Sequence, residues 1–189
     1  MSWGYRIAFP PSARAEGAEG VSGYDKGVVT AGRMTPFLER VGGRARWSEA
    51  RYGMTLYSGA RGKLFWNAKR ESLRSNETWA RLMRMRIAVP IDAYVENAPL
   101  RSWRTGPAAW LPGLLNPAAG GGIVTITETL DGGGMPILLT QESALAWLDA
   151  SQWSAADTLD LDRAAYDHAD IFLSARLDVE SKRQGPKAA

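Results

Sequence analysis

The chain has no cysteine and a single histidine, His168, among its 189 residues. Without thiols there are no disulfide staples, no thiolate nucleophile and no Cys-based metal site. One imidazole leaves little for metalloenzyme or cysteine-hydrolase chemistry, so no metal and no cofactor are expected. No apolar run reaches the roughly 18 residues that a membrane-crossing helix requires. The N-terminus (Met1-Ser2-Trp3-Gly4-Tyr5-Arg6) lacks the basic-then-apolar layout of a signal peptide. The expectation is a cytoplasmic protein with no membrane partner.

The composition is 45% hydrophobic and 23% charged, which suits a folded globular chain and excludes disorder as its main state. The length fits one domain over residues 1–189, expected as a monomer, with the basic tail from Ser181 to Ala189 expected to fray. The net charge of +3 is unevenly spread. Residues 61–104 carry ten basic and four acidic side chains, a local +6, and residues 141–180 carry nine acidic and two basic ones, a local −7. Two outcomes stand: the blocks neutralise each other in the fold, or the first presents a basic face to a polyanion.

Periodicity indicates mixed α and β structure with strands in the majority. Strands are expected at Tyr52–Tyr57, Leu64–Trp66, Ile87–Val95, Ile123–Thr127, Ile137–Leu139 and Ile171–Leu177. Thr35-Pro36 reads as the start of a helix over Phe37–Val41, because proline at the first helical position loses no needed N–H. Ser75 or Asn76 can cap a helix running to Met85, and Thr140 one over Gln141–Asp149. Ser154 to Asp157 has capping-box spacing. The glycine- and proline-rich stretches 106–122 and 131–134 read as loops.

Several chemistries lack their motifs. No glycine pattern of a phosphate loop lies between a strand and a helix. Asp157, Asp160 and Asp162 lack the glycine and terminal glutamate of a calcium loop, and His168 has no nucleophile motif near it. Eight tryptophans can fill a core or stack on unstacked bases.

One ordered series stands out: Arg51-Tyr52-Gly53-Met54, then Trp66-Asn67-Ala68-Lys69-Arg70-Glu71-Ser72, then Arg86 through Pro90 and Tyr94 to Glu96. Gly113-Leu114-Leu115-Asn116, the run Ile123–Thr127, and Met135-Pro136-Ile137-Leu138-Leu139 with Ala146-Trp147-Leu148 follow it. This series resembles the SOS-response-associated peptidase (SRAP) family. The resemblance spans roughly residues 2 to 150.

The resemblance implies an irregular α+β fold, a mainly antiparallel, barrel-like sheet with a few short helices, that binds single-stranded DNA and bonds covalently to abasic-site aldehydes through an N-terminal cysteine exposed by removal of Met1. Carried over residue by residue, it makes Ser2 the nucleophile, Asn67 an asparagine near the reacting terminus, Lys69 a phosphate contact and Glu96 the acid/base carboxylate. Arg51, Lys69, Arg70, Arg84 and Arg86 are the candidate DNA-binding cations. Two of the family's groups are changed: serine stands at position 2, and Gly132-Gly133-Gly134 occupies the place of the family histidine. Serine would trap an aldehyde only as a labile oxazolidine, so durable cross-linking is expected to be weakened or lost. The competing readings are an interaction module that binds no DNA and, last, an N-terminal serine hydrolase acting on peptides, for which no oxyanion motif is found.

Overall fold

A computed structural model describes residues 3–7, 28–56, 64–97, 100–118, 121–130, 133–152 and 154–159. The expected strand at Ile171–Leu177, the basic tail and Ser2 lie outside these residues. The architecture is α+β. Eleven strands are described: β1 Trp3–Ile7, β2 Val28–Val29, β3 Met34–Val41, β4 Arg44–Arg51, β5 Met54–Thr55, β6 Leu64–Phe65, β7 Asn67–Lys69, β8 Arg86–Asn97, β9 Leu100–Leu115, β10 Ile123–Leu130 and β11 Gly133–Pro136. The helices are α1 Glu77–Leu82, α2 Gln141–Asp149 and α3 Ala155–Thr158.

Nine strands form one sheet with the path β11-β10-β9-β8-β1-β2, while β3 joins β8, β4 joins β3 and β7 joins β10. Only the β7–β10 pairing is parallel among these strands. Among the described residues the sheet does not close into a barrel; β5 and β6 form a separate two-stranded ribbon.

The segment expected as a helix over Phe37–Val41 is a strand. Gly42 and Gly43 both have positive φ, 57° and 79°, the conformation of a two-residue hairpin turn whose twist matches its strands. That turn folds β3 onto β4 in unbroken register from Val41↔Arg44 to Met34↔Arg51. Pro36 lies outside the stretch where β8 pairs with β3, so its missing N–H leaves that ladder intact.

The expected loop over 106–122 is largely strand as well. β9 runs through it to Leu115, and the Gly106-Pro107 pair falls inside an irregularity where the register jumps from Ala93↔Arg104 to Ile91↔Ala109. Likewise Gly133 and Gly134 belong to β11. Of the expected strands, Ile87–Val95 and Ile123–Thr127 lie within β8 and β10. Ile137–Leu139 forms only a single bridge, Trp110↔Leu139.

The caps behave more simply. Asn76 Oδ1 accepts from the Thr78 and Trp79 N–H groups and starts α1, and Thr140 Oγ1 accepts from the Ser143 N–H and starts α2. The Ser154 capping box does not form: its side chain makes no cap, and the Ser154 N–H donates to Ser151 Oγ instead.

The sheet buries both faces. One carries Leu38, Val124, Ile126, Trp110 and Leu114 against Trp79 of α1 and Trp147 and Leu148 of α2. The other joins Tyr5, Phe37, Tyr52, Ile87, Val89, Ile91 and Ile123. Adjacent residues of β8 divide between them, Ala88 to the first and Ile87 and Val89 to the second, as strand alternation requires. Each large apolar side chain fully buried here contributes about 1.5–3 kcal/mol. No helix among the described residues is long and apolar enough to cross a membrane.

Candidate nucleic-acid interface

Two motif segments that are separate in sequence lie along the same strand, β10. Tyr52 bridges Ile123 in parallel, and the Gly53 N–H donates to the Ile123 carbonyl at 2.9 Å. β7 then continues beside β10 with Asn67↔Thr125, Ala68↔Ile126 and Lys69↔Thr127. The chain turns over Arg70–Ser72, with Arg70 Nη1 donating to Glu128 Oε1 at 3.1 Å and Glu71 Oε1 accepting from the Thr129 N–H at 2.9 Å. Burial pushes the Glu71 carboxyl up, but its hydrogen bonds from Thr129 and its own backbone, with the Lys69 charge, outweigh that and hold it below its ordinary value.

An aromatic group supports this edge from within. Tyr5 meets Tyr52 edge-on at 4.8 Å, and Trp66 lies 6.0 Å from Tyr52. The Tyr5 hydroxyl is 3.1 Å from Thr35 Oγ1. Gly53 has φ +101°, and a Cβ there would stand 2.4 Å from Trp66 Cζ3, so both conformation and space demand glycine. Burial pushes the Tyr52 phenol up to about 12, partly offset by nearby Thr125, although the two hydroxyls form no regular hydrogen bond. Tyr52 therefore stays neutral near pH 7 and serves as packing.

The candidate cations divide into two groups. Arg51, Lys69 and Arg84 are exposed. Arg70 is partly buried and paired with Glu128. Arg86 is half-buried: its Nε donates to the Trp147 carbonyl at 2.8 Å, its Nη2 to Leu148 at 3.2 Å and to Ala150, and its Nη1 to Met83. Its guanidinium also lies 5.6 Å from the Trp147 ring centroid. Burial lowers the Arg86 pKa and the charge of Asp149 raises it again, leaving the group below its ordinary value. Arg86 thus secures the C-terminal end of α2, where the helix dipole favours a cation.

Of the expected catalytic positions, Asn67 is partly buried on β7. Glu96 sits on β8 opposite Trp3 of β1. Asn67 belongs to a different row: it aligns through Thr125 and Gly113 with Ile87, nine positions before Glu96 on β8. The strand register therefore brings Glu96 beside the N-terminal strand and leaves Asn67 out of that row.

A groove of about 300 Å³ is lined by Arg70, Glu71, Arg74, Glu128, Ala156 and Asp157, with both signs of charge. Arg74 meets Asp157 across it at 2.7 Å, so the basic and acidic blocks do touch. Among the described residues, no group of three His, Cys, Asp or Glu is placed to hold a metal.

Arg33 is a residue that the motifs do not mark. It is exposed, and its carbonyl accepts from the Tyr52 N–H at 2.8 Å. This link joins a turn to a strand end far along the chain, so no local pattern signals it.

No protein-family model matches the chain, and no curated protein matches it. The fold does recur among solved structures. A phage-related protein from Bordetella bronchiseptica is similar at a TM-score of 0.67 and 17% identity, over 85% of this chain and 88% of that one. A second Bordetella bronchiseptica protein gives 0.59 at 17% identity, over 84% and 93%. A Bacteroides thetaiotaomicron protein gives 0.57 at 15% identity, over 82% and 85%. The chain therefore shares a fold with these bacterial proteins, one of them phage-related.

Proposed function

We propose that the protein is a diverged SRAP-like protein that binds single-stranded and abasic-site DNA, with its covalent chemistry weakened. The observation that carries this reading is the β1–β8 register, in which Trp3, the residue after Ser2, stands opposite Glu96. The reading needs a reactive N-terminus beside a carboxylate from the distant P-x-x-x-Y-x-E segment, and that pairing supplies the juxtaposition of strands. The adjacency of the Arg51–Met54 and Asn67–Ser72 segments on β10 supports it further. Removal of Met1 would free the Ser2 amine, which can condense with an aldehyde to an imine, releasing water. Glu96 is the proton shuttle in this scheme. With oxygen in place of sulfur, the adduct remains reversible.

Abasic single-stranded DNA tests the chemistry. No heat-stable adduct is expected without reductant, and borohydride should trap an imine at Ser2. Glu96→Gln should slow trapping by on the order of 100-fold. A durable adduct without reductant, or an unchanged trapping rate in the variant, would overturn the assigned roles.

A second reading has its own support. Arg74–Asp157 and the Arg86 contacts to the end of α2 spend part of the basic block internally, as an interaction module without DNA would. Binding of single-stranded over duplex DNA, with log affinity falling against log salt by about 0.7 per neutralised phosphate, favours the first reading; no binding at low salt favours the second.

A further inference from the structure

We propose that Arg33, Arg51 and Arg84 form a phosphate-binding row across one end of the main sheet, with Arg33 as an additional contact to single-stranded DNA. The inference rests on the DNA-binding reading and adds to it a residue and a direction for the strand.

A continuous set of backbone contacts defines the row. The Gly32 N–H donates to the Tyr52 carbonyl and the Tyr52 N–H to the Arg33 carbonyl, each at 2.8 Å. Tyr52 bridges Ile123, Ile123 pairs with Leu115, and the Leu115 N–H donates to the Met85 carbonyl at 2.9 Å. Arg33 lies at one end of this row, Arg51 adjoins Tyr52, and Arg84 adjoins Met85. At a strand spacing of about 4.8 Å, the four steps from Arg33 to Met85 cover roughly 19 Å. Arg33 and Arg84 are turn residues and Arg51 ends β4, and backbone hydrogen bonds tie both turns to neighbouring strand ends, so the three cations are held in fixed order.

With Arg44, which lies at the other end of the β3–β4 hairpin, these arginines differ from the rest of the described ones in what they touch. All three are exposed and pair with no carboxylate among the described residues. By contrast, Arg40 is paired with Asp149, Arg46 with Glu39, Arg70 with Glu128, Arg74 with Asp157 and Arg81 with Glu77. Glu49, two positions before Arg51 on β4, is the acidic side chain nearest to the row in sequence, and the row remains net positive. Three exposed cations spaced along these backbone contacts suit the repeating charge of a nucleic-acid backbone, whose contacts are electrostatic and independent of base.

The experiment is fluorescence anisotropy of a labelled oligothymidylate over a salt series with the full chain. Arg33→Ala should lower the steepness of the log–log salt dependence by about 0.7, and the triple alanine variant of Arg33, Arg51 and Arg84 by about 2. Arg33→Lys should restore the slope, which separates a charge contact from misfolding. Arg81→Ala, which removes an exposed arginine already paired with Glu77, should leave the slope unchanged. If the wild-type protein binds with a salt-dependent affinity but Arg33→Ala matches it, or Arg81→Ala weakens binding as much, the row is overturned and the DNA-binding reading stands. If the wild type shows no salt-dependent binding, both fall.

Discussion

Arg84 and Arg86 stand two positions apart where the chain leaves α1 and enters β8, and the fold uses them in opposite ways. Arg84 is exposed and adjoins the row that Arg33 and Arg51 share. Arg86 turns inward, where it donates to carbonyls of Met83, Trp147, Leu148 and Ala150 and lies over the Trp147 ring. Strand alternation sends neighbouring positions to opposite faces, but these two differ by two positions and separate because Arg84 precedes the strand. A block of positive charge in a sequence is thus a mixed population: some of its members are structural cations that hold a helix end, and others remain available to a partner.

Three substitutions sharpen this contrast. The largest effect is expected at Trp147, which is fully buried, donates from Nε1 to the Ile87 carbonyl at 3.0 Å and supports the Arg86 guanidinium. Trp147→Ala should lower stability by about 4 kcal/mol, read by urea denaturation. Arg86→Ala should come next, at about 2–3 kcal/mol given its partial exposure, because it strips charge-assisted donors from several carbonyls at once. Arg84→Ala should stay within about 0.5 kcal/mol of the wild type in the same measurement. Equal losses at positions 84 and 86 would erase the distinction between them. At the opposite end of the same helix, Thr140→Ala removes the cap on the Ser143 N–H and should lower the urea-derived stability by about 1 kcal/mol, between the effects at positions 86 and 84.

Gly53 tests the other side of the comparison, the exposed row. Gly53→Ala forces a side chain into a positive-φ position against Trp66 and should destabilise the protein by about 3 kcal/mol. Because Gly53 follows Tyr52, the same change should weaken oligothymidylate binding in whatever folded fraction remains, whereas Thr140→Ala should leave that affinity alone.

The sequence by itself determined the local decisions. The Ser75-Asn76 pair and Thr140 marked two helix starts, the first capped by Asn76 in the fold, because a side-chain oxygen satisfies N–H groups only two or three residues away. The β-branched runs marked β8 and β10 because burial on both faces leaves a continuous apolar record. The Arg51–Met54 and Asn67–Ser72 segments were legible as motifs, although only their placement on β10 made them neighbours. Tertiary structure decided what depends on distant partners. Phe37–Val41 is a strand because the Gly42-Gly43 turn and β4 outweigh the helix-start signal at Thr35-Pro36. β9 carries Gly106-Pro107 through its middle because a register jump against β8 absorbs them. Whether an arginine pairs, caps a helix or faces solvent also has no local signature: Arg86 acquires its role from carbonyls about 60 residues away, and Arg33 from the backbone of Tyr52. Such contacts form only when the sheet brings separate segments within hydrogen-bond range, and a linear pattern carries no record of that distance.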